Sequence, residues 1–476
     1  MHGIAPTEGI IVSMDICVVG AGYVGLVTSA CLAYLGNRVI AVDVNKEKVA
    51  QLKQGKVPFF EPGLEGFVQE CSEQGTLEFT DNLEWAVQKS QVIFIAVGTP
   101  PLPTGEPDLS QVMSVARAIG GALDSSRSRV IINKSTVPVG SGNWVEMLVN
   151  QGVQTMQIVP ARKGRPDAPS FAVVSNPEFL REGSALMDSF YPDRIVVGAQ
   201  SESAVQLMKE LYKPIISQTF TPPACAQRPE DFTSVPFIVT DLASAELIKY
   251  SANAYLAMKI SFANEISGLC EKVGADVRQV MRGIGLDKRI GPYFLNAGVG
   301  WGGSCFGKDV SALMQMAREY SYPTNLLEAT VAVNNHQRLA VIKKLQEELK
   351  ILKGRTVGLM GLAFKPNTDD LRDAPSLSIA ERLLKMGVQV KVYDPLSNEV
   401  CKKQNPGLEV IYCENLRELA RHSDALVLVT EWAEFRECDW KDVISVMRTP
   451  LLIDGRNALS QDELTQAGFT YRGIGH

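Results

Sequence analysis

Histidine is scarce in this sequence of 476 residues, which contains four: His2, His336, His422 and His476. None of them lies in a glycine-rich or motif-bearing stretch. Because histidine is the usual proton-transfer residue near neutral pH, any such chemistry must come from lysine, aspartate, glutamate or cysteine. The nine cysteines are scattered singly, without a Cys-x-x-Cys pair or a Cys/His cluster. We therefore expect no metal site, and free thiols as in a cytoplasmic protein.

Long apolar runs are missing as well, since the longest, such as residues 92–97 and 425–429, have only the length of strands. No secretion signal opens the chain, and residues 1–13 are interpreted as a loose extension. The formal net charge of −6 argues against binding to nucleic acid or to an anionic membrane. With 45% hydrophobic and 21% charged residues, the composition is that of a packed soluble enzyme.

A strand-turn-helix-strand pattern opens the folded part of the chain. Residues 14–19 are an apolar strand, a glycine-rich turn and a helical stretch follow, and residues 38–42 form a strand that ends at Asp43. Further strands are predicted at residues 92–97, 130–134, 157–159, 173–175 and 194–197, with a surface loop at 161–170. Strands alternating with helices predict a doubly wound parallel sheet, which we assign to an N-terminal Rossmann domain over residues 14–239.

Two further regions follow. Residues 240–352 read as a central helical domain, with one helix over 241–273 that Thr240 or Asp241 caps and Gly274 stops, and another over 325–352. A helix of about 33 residues is about 50 Å long and typically bridges domains or forms a dimer interface. Residues 353–476 repeat the strand-turn-helix-strand order, ending at Asp394. The predicted fold is therefore α/β, with two Rossmann-like doubly wound parallel sheets joined by a helical domain containing one long helix.

The turn Gly20-x-Gly22-x-x-Gly25 follows a strand and opens a helix, and Asp43 ends the next strand. In this context the glycines allow a pyrophosphate to approach the helix N-terminus, and the acidic residue binds the ribose hydroxyls. The carboxylate of Asp43 would repel a 2′-phosphate, so the pattern favours NAD over NADP. The alternative is a glycine-rich turn that binds nothing.

Other candidates lie at strand ends and on the long helix. Thr99 and Thr136 follow two strands, where open α/β sheets bind ligands, although a Thr-x-Pro sequence is often only a turn. Glu178 and Glu182 follow another strand four residues apart, and the more ordinary interpretation is a solvated helix start capped by asparagine. Lys249 and Asn253 share a helix face, either as catalytic groups or with a lysine that merely extends to solvent.

The most unusual stretch is residues 298–309, GVGWGGSCFGKD. Five glycines within ten residues let the backbone wrap closely around a ligand. If a helix begins near Ser304, Cys305 lies at its N-terminus, where the thiolate is favoured, and Asp309 lies one turn further on. A purely structural cysteine is the weaker interpretation in such a loop, so a catalytic nucleophile is favoured.

With these residues in view, residues 14–470 resemble the UDP-glucose 6-dehydrogenase family, within the wider UDP-glucose/GDP-mannose dehydrogenases. The resemblance rests on the strings Phe294-Leu295-Asn296, Gly302-Gly303-Ser304-Cys305-Phe306 with Lys308-Asp309, Asn176-Pro177-Glu178-Phe179-Leu180 and Gly361-Leu362-Ala363-Phe364-Lys365. Relatives that act on GDP-mannose or N-acetylated sugars carry variants of these strings, and Arg289-Ile290-Gly291 resembles the UDP-glucose branch. Trp301 stands where the family usually has Tyr or Phe, and Pro366 follows Lys365.

The resemblance implies a two-step, NAD-dependent oxidation of UDP-glucose to UDP-glucuronate in a homodimer. It implies that Cys305 forms a thiohemiacetal and then a thioester, that Lys249, Asn253 and Asp309 frame the reacting carbon, and that Thr136 and Glu178 position water. The implied cofactor-binding residues are Gly20, Gly22, Tyr23, Val24, Gly25, Asp43, Lys48, Thr99, Thr136, Glu182, Lys308 and Arg372. The implied substrate-binding residues are Glu178, Phe179, Leu180, Lys249, Asn253, Arg289 (from the other subunit), Phe294, Leu295, Asn296, Gly302, Phe306, Phe364, Lys365 and Arg456.

Two other functions are compatible with parts of the sequence. A hydroxyacid-type dehydrogenase would use the Lys249/Asn253 helix for a single hydride transfer, but it would need neither the cysteine nor the second α/β domain. A nucleotide-sensing protein on a Rossmann scaffold would need no chemistry at all. The release of NADH in the presence of UDP-glucose separates the predicted function from both.

Overall fold

The computed structural model describes residues 13–102, 104–158 and 169–476. The described residues up to Lys249 form one compact unit, here the N-terminal unit, and Tyr250–His476 form the C-terminal unit. The boundary falls within the long helix. The predicted division into domains at 14–239, 240–352 and 353–476 stays a prediction. The predicted extension at 1–13, apart from Ser13, and most of the predicted loop at 161–170 lie outside the described residues.

The N-terminal unit is built around one sheet. Its elements are β1 (Asp15–Val19), α1 (Tyr23–Tyr34), β2 (Arg38–Val42), α2 (Lys46–Lys53), α3 (Leu64–Glu73), β3 (Leu77–Thr80), α4 (Leu83–Lys89), β4 (Val92–Ile95), α5 (Ser110–Ala122), β5 (Arg129–Asn133), α6 (Ser141–Ile158), β6 (Phe171–Ser175), α7 (Ala185–Phe190), β7 (Ile195–Ala199), α8 (Glu202–Ile216), β8 (Phe237–Thr240) and the start of α9 (Leu242–Val273). Among the described residues the strand order is β3-β2-β1-β4-β5-β6-β7-β8.

This sheet confirms the predicted doubly wound fold with two corrections. The central strands, such as β4 and β5, are buried along their whole length, as expected for parallel strands covered by helices on both faces. However, β7 runs antiparallel to β6, so the sheet is mixed rather than purely parallel. The strand predicted at 157–159 is wrong, because residues 157 and 158 end α6, whose apolar residues pack as a helix against α5; Val159 lies outside the described residues.

The C-terminal unit contains the rest of α9 and a second sheet. Its further elements are α10 (Val277–Gly285), α11 (Phe306–Glu319), α12 (Asn325–Gln337), α13 (Ala340–Leu349), β9 (Thr356–Met360), α14 (Pro375–Lys385), β10 (Gln389–Tyr393), α15 (Asn398–Gln404), β11 (Ile411–Tyr412), α16 (Leu416–Ala420), β12 (Ala425–Leu428), α17 (Ala433–Arg436), α18 (Trp440–Ser445), β13 (Leu451–Asp454), α19 (Gln461–Ala467) and β14 (Thr470–Arg472). Its described strands are parallel, in the order β11-β10-β9-β12-β13-β14.

The long helix is confirmed almost to the residue. The carboxylate of Asp241 accepts a hydrogen bond from the backbone N–H of Ser244 (2.8 Å), so Asp241 is the cap. Gly274 ends the helix with φ +75°, a conformation that favours glycine. The single helix predicted at 325–352 is wrong, because the chain breaks between α12 and α13 at Arg338, whose guanidinium binds Asp373 and the carbonyl oxygen of Trp301.

Because parallel strands end at one edge of a sheet, the loops that follow β1, β2, β4, β5 and β6 are neighbours along that edge of the N-terminal unit. These loops carry the candidate cofactor residues. Among the described residues, no helix has both the length and the apolar character needed to cross a membrane.

Candidate active site

The glycine-rich turn between β1 and α1 has the geometry of a dinucleotide site. Gly20 has φ +103°, and a Cβ atom there would lie 2.6 Å from the carbonyl oxygen of Ala96. A Cβ atom at Gly25 would overlap the carbonyl oxygen of Gly20, so this glycine lets the helix approach the turn. A Cβ atom at Gly22 would meet no atom within 4 Å. Gly22 begins α1 without a side-chain cap, so this helix N-terminus can receive a pyrophosphate, flanked by Tyr23 and Val24.

Asp43 lies at the end of β2, where the ribose of a dinucleotide is bound. Its carboxylate accepts hydrogen bonds from the backbone N–H groups of Ala21 (3.0 Å) and Asn45 (2.9 Å), and from Nζ of Lys48 (2.8 Å). Burial raises the pKa of this carboxyl, but the bonds from Lys48 and the two backbone groups outweigh burial, so the net pKa is lowered. Asp43 is therefore a charged acceptor, and Lys48 is held beside it.

A buried glutamate that the sequence analysis missed links two cofactor candidates. Glu61 accepts hydrogen bonds from the hydroxyl of Tyr23 and from the backbone N–H groups of Gly183 (2.6 Å) and Ala185 (2.7 Å). Burial, and then the Glu61 hydrogen bond, raise the pKa of Tyr23. Glu61 thereby joins the start of α1 to the segment that contains Glu182. The sequence offers no signal for this role, because the partners of Glu61 lie 38, 122 and 124 residues away from it.

Thr99 and Thr136 meet at the sheet edge, as predicted. The hydroxyl of Thr99, after β4, donates to the carbonyl oxygen of Thr136, after β5 (2.9 Å). The two loops that follow these neighbouring strands are thereby tied together.

The segment 176–183 corrects one interpretation. It forms no helix, so Glu178 and Glu182 do not share a helix face, and α7 begins only at Ala185. Glu178 is buried and not part of a solvated helix start. Its Oε1 accepts from Nζ of Lys249 (2.9 Å) and its Oε2 from the backbone N–H of Leu180 (2.6 Å).

Lys249 does not extend to solvent, since it is only 4% exposed. Burial raises the pKa of Glu178, but Lys249, the N–H of Leu180 and Lys134 together lower it, so the carboxylate stays charged. Lys249 and Glu178 therefore form a buried ion pair, which joins α9 to the segment that follows β6. The ring of Phe179 adjoins this pair, and Nζ of Lys249 lies 5.5 Å from the ring centroid. The guanidinium of Arg194 lies 3.6 Å from the same centroid. The sequence analysis missed Arg194.

A second buried lysine, Lys134 at the end of β5, was also missed. Its Nζ donates to Oδ1 of Asn176 (3.2 Å), which also accepts from the hydroxyl of Tyr212 (2.7 Å). The pKa of Lys134 is lowered to about 8, because burial lowers it strongly, Glu178 opposes this shift, and Lys249 adds a smaller lowering. Glu178 thus interacts with two buried ammonium groups, those of Lys249 and Lys134.

In the C-terminal unit, Cys305 is the N-cap residue of α11, as the sequence predicts. Asp309 follows one turn later and is fully buried; its Oδ1 accepts from Nζ of Lys308 (2.6 Å) and its Oδ2 from Nδ2 of Asn253 (2.6 Å). The helix N-terminus favours a thiolate at Cys305. Four predicted site residues, Cys305, Asp309, Lys308 and Asn253, are therefore brought together.

The glycine-rich loop before Cys305 is held from several sides. The side-chain amide of Asn334 accepts from the N–H of Trp301 (2.8 Å) and donates to its carbonyl (3.0 Å). The backbone N–H of Gly303 donates to the carbonyl of Arg372 (3.0 Å). A Cβ atom at Gly302 would overlap the carbonyl oxygen of Asp373. Phe306 packs edge-on against Trp301, with ring centroids 6.1 Å apart. These contacts fix the approach of the chain to Cys305.

The loops after the second sheet gather around Arg456. Its guanidinium donates to the carbonyl oxygens of Val429 (2.6 Å), Gly300 (3.1 Å) and Phe364 (3.1 Å). Nζ of Lys365 lies 5.4 Å from the centroid of the Phe364 ring. Arg456 therefore joins the nucleophile loop to the predicted substrate loops.

The second sheet differs from the first at the ribose position. Asp394 ends β10 as Asp43 ends β2, but protein donors surround its carboxylate. One oxygen accepts from the N–H groups of Leu362 (2.7 Å) and Ala363 (3.0 Å) and from the indole of Trp432 (3.0 Å). The other accepts from the N–H groups of Leu396 and Ser397. Asp394 therefore stabilises the turn and offers no free acceptor to a ribose.

Arg289 and Asn296 stand apart from these clusters in the described part of the C-terminal unit, whereas Arg372 contacts the nucleophile loop through its backbone carbonyl. The Arg289 side chain is 89% exposed and pairs with Asp287 (2.6 Å). Asn296 is exposed, and the guanidinium of Arg372 pairs with Asp370 (2.7 Å). Phe294 adopts φ +62°, a left-handed conformation unusual for a bulky residue, and Leu295 beside it is buried.

The described residues of the N-terminal unit meet the requirements of a dinucleotide site: an uncapped helix N-terminus, glycines at close approaches and a charged acceptor at the ribose position. Together with the buried Lys249–Glu178 pair, they define a nicotinamide-dependent dehydrogenase.

Comparisons with known proteins agree with this class. Three domain models of the UDP-glucose/GDP-mannose dehydrogenase family match this chain. The model of the NAD-binding domain matches residues 14–216, that of the central domain matches 243–336, and that of the UDP-binding domain matches 358–461. The UDP-glucose 6-dehydrogenase TuaD of Bacillus subtilis is 43% identical, covering 97% of this chain and 93% of its own. The UDP-glucose 6-dehydrogenase of Rhizobium meliloti is 44% identical, covering 97% and 99%.

A solved UDP-glucose dehydrogenase from Pyrobaculum islandicum superimposes with a TM-score of 0.85 at 36% identity, covering 99% of this chain and 100% of that one. The chain belongs to the UDP-glucose/GDP-mannose dehydrogenase family, and its cofactor is NAD.

Proposed function

We propose that the chain oxidises UDP-glucose to UDP-glucuronate in two NAD-dependent steps through a thioester on Cys305. The observation that carries this proposal is the position of Cys305 as the N-cap of α11, with the buried Asp309 one turn further on. A single oxidation would need no nucleophile, whereas the formation of an acid requires the intermediate aldehyde to be held. The names of the relatives support the choice of substrate.

The cofactor site and the first oxidation involve the N-terminal unit. NAD, when bound, accepts one hydride from C6 of the sugar in each oxidation. The turn at Gly20, Gly22 and Gly25 would bind its pyrophosphate, and Asp43 its ribose. We assign Thr99 and Glu182 to the same cofactor. The C6 hydroxyl loses its proton as the hydride leaves, and the aldehyde results.

The covalent step belongs to Cys305. Its thiolate adds to the C6 aldehyde, which forms the C–S bond and places a negative charge on the former carbonyl oxygen. We assign the stabilisation of this oxygen to the ammonium of Lys249 and the amide of Asn253. Loss of the second hydride from C6 re-forms the C=O bond and leaves a thioester on the protein.

Hydrolysis completes the reaction. Water adds to the thioester carbonyl, the C–S bond breaks, and the thiolate of Cys305 is released with the carboxylate product. We assign the positioning of this water to Thr136 and Glu178, and its deprotonation to Asp309. Burial of Asp309 between Asn253 and Lys308 keeps its two oxygens in fixed directions.

The UDP-sugar would be bound by residues of the C-terminal unit, with Phe364, Lys365 and Arg456 on its nucleotide part and Phe294, Leu295 and Gly302 near the nucleophile loop. The existing bonds of Arg456 to Gly300 and Phe364 make it an organiser of this region as well. GDP-mannose and N-acetylated sugar nucleotides are the competing substrates within the family.

We further propose that the enzyme is a cytoplasmic homodimer formed through α9. Tyr255, Phe262 and Leu269 recur every seven residues on this helix and are about half exposed, and Val273 continues their stripe. A heptad-spaced apolar stripe is the pattern by which two helices pack together. Arg289 would then reach the substrate of the other subunit. The free thiols of all nine cysteines fit a reducing compartment.

The deciding experiment measures NADH formed per UDP-glucose consumed, beside a panel of other sugar nucleotides. Two NADH per UDP-glucose, with UDP-glucuronate as product, is the expected result. A yield of one, with an aldehyde or ketone product, would favour a hydroxyacid-type dehydrogenase, and binding without NADH would favour a nucleotide sensor. A faster reaction with another sugar nucleotide would move the assignment within the family.

A further inference from the structure

Glu246 lies on α9 one turn before Lys249 and is only 4% exposed. Its Oε2 accepts a hydrogen bond from the backbone N–H of Gly140 (2.7 Å). Its Oε1 accepts from the backbone N–H of Gly142 (2.8 Å) and from the hydroxyl of Ser175 (2.9 Å). Burial raises the pKa of this carboxyl, and these bonds oppose the rise without cancelling it. A buried acid therefore binds groups from two other parts of the N-terminal unit.

Each bonded segment leads directly to a residue that we assign to the reaction. Gly140 ends the loop between β5 and α6, which also contains Thr136, and Gly142 lies in the first turn of α6. Ser175 ends β6 and stands three residues before Glu178. Glu246 itself is three residues before Lys249 on α9. One carboxylate thus connects the backbone segments of three candidate catalytic residues.

The local packing is built for this contact. A Cβ atom at Gly142 would lie 3.2 Å from Oε1 of Glu246 and 3.0 Å from the side chain of Leu242, so glycine permits the close approach. A small cavity next to the carboxylate is lined by Asn133, Thr136, Ser175 and Lys249 as well. Glu246 thus borders the same space as two of the residues that it connects.

We propose that Glu246 is a positioning residue that holds Thr136, Glu178 and Lys249 in their relative places without touching the substrate. The ordinary alternative is a helix cap for α6 with no effect on the chemistry. A cap would need only the bonds to Gly140 and Gly142, whereas the bond to Ser175 joins β6, which is not part of that helix. The proposal rests on the function proposed above.

The central variant is Glu246→Gln, which keeps the shape but replaces one acceptor oxygen by an NH2 group. That NH2 must then face an N–H or hydroxyl donor, so at least one of the bonds is lost. Because small displacements of catalytic groups can cost about a hundredfold in rate, we expect kcat to fall about ten- to a hundredfold. KM for NAD should stay within about threefold, since the glycine turn and Asp43 are untouched.

Two companion variants separate positioning from stability. Ser175→Ala removes one bond and leaves the carboxylate in place, so it remains informative if Glu246→Gln fails to fold. Asp424→Asn is the matched control: Asp424 is a fully buried carboxylate of the C-terminal unit that accepts from the N–H of Thr356 (2.9 Å) and pairs with Arg355 and Arg448. We expect it to lower the melting temperature without changing kcat.

The readouts are steady-state kinetics, a double-variant cycle with Thr136→Val, and amide hydrogen exchange by mass spectrometry. We expect Glu246→Gln to lower kcat more than the control Asp424→Asn does at a similar loss of stability. The double variant should be less impaired than the product of the two single effects. Amide exchange should be faster at residues 135–142 and 175–180. A Glu246→Gln enzyme with kcat within about twofold of the original, or with unchanged exchange in both segments, would overturn the proposal.

Failure of the proposed function is visible separately. If the unaltered enzyme yields no NADH from UDP-glucose, that function is wrong whatever the variants do. In that case the exchange measurement alone decides whether Glu246 holds the two segments. If the unaltered enzyme yields two NADH and Glu246→Gln does as well at full rate, only the positioning role is refuted.

Discussion

Replacing Asp43 by alanine should turn the enzyme toward NADP. In the structure, the carboxylate of Asp43 stands at the ribose position and Nζ of Lys48 is 2.8 Å from it. A 2′-phosphate on the ribose would face this carboxylate. In Asp43→Ala the repulsion disappears, and Lys48 loses its partner and becomes available to the phosphate.

The size of the effect follows from Coulomb's law. Two unit charges about 4 Å apart near a protein surface interact by about 4 kcal/mol. The bond from Lys48 offsets part of this repulsion, so we expect a discrimination of about 2–3 kcal/mol, or about 30- to 150-fold in kcat/KM. A semi-exposed contact of Lys48 with the phosphate should contribute about 1 kcal/mol of the gain, or about fivefold.

The assay compares kcat/KM for NAD and for NADP in three enzymes: the unaltered enzyme, Asp43→Ala, and Asp43→Ala/Lys48→Ala. The ratio of NAD to NADP should fall by about 30- to 150-fold in the first variant and recover about fivefold in the second. Activity with NAD should itself decline, since the ribose loses an acceptor. A ratio in Asp43→Ala that stays within about threefold of the original would show that Asp43 does not face the ribose.

Three further predictions test other parts of the structure. Cys305→Ser should abolish turnover, because a serine hydroxyl is far less acidic than a thiol, and should leave a sub-stoichiometric NADH burst or a trapped acyl-enzyme visible by intact mass; near-normal turnover would assign Cys305 a packing role. Burial lowers the pKa of Lys134 to about 8, so the unfolded chain binds this proton more tightly than the folded chain, and stability should rise as the pH increases above 8. Relative to Lys134→Met, the free energy of unfolding measured with urea should increase by about 2 kcal/mol between pH 7.5 and 9.5. Parallel pH curves for the two proteins would contradict this prediction. Phe262→Glu should place a charge in the α9 stripe and yield a monomer by light scattering; a dimer of unchanged affinity would place the interface elsewhere.

Local signals explain which elements the sequence predicts well. The ends of α9 follow from Asp241 and Gly274, since a cap and a left-handed glycine act within one turn of the chain. The same holds for Cys305 at the start of α11. The break at Arg338 could not be predicted, because neither a proline nor a glycine marks it, and the partners of the Arg338 side chain, Asp373 and Trp301, are more than thirty residues away.

The candidate site shows the same division. The glycine turn, Asp43 and the nucleophile loop are contiguous strings with their own chemistry. The pairing of Lys249 with Glu178 could not be predicted, because the two residues are 71 positions apart in the sequence. The roles of Glu61 and Glu246 could not be predicted for the same reason. Each glutamate accepts hydrogen bonds from backbone N–H groups that only the fold brings close to it.

The protein donors around Asp394 have a consequence for the timing of catalysis. Because protein donors occupy the carboxylate of Asp394, the described residues contain one candidate dinucleotide site, the one that includes Asp43, although an acid product needs two rounds of oxidation. In the proposed two-step reaction, the first NADH must therefore leave and a second NAD must bind while the half-oxidised sugar stays on the enzyme. In the proposed mechanism, the bond between the sugar and Cys305 has to last longer than this exchange, and an enzyme with slowed cofactor release should release aldehyde.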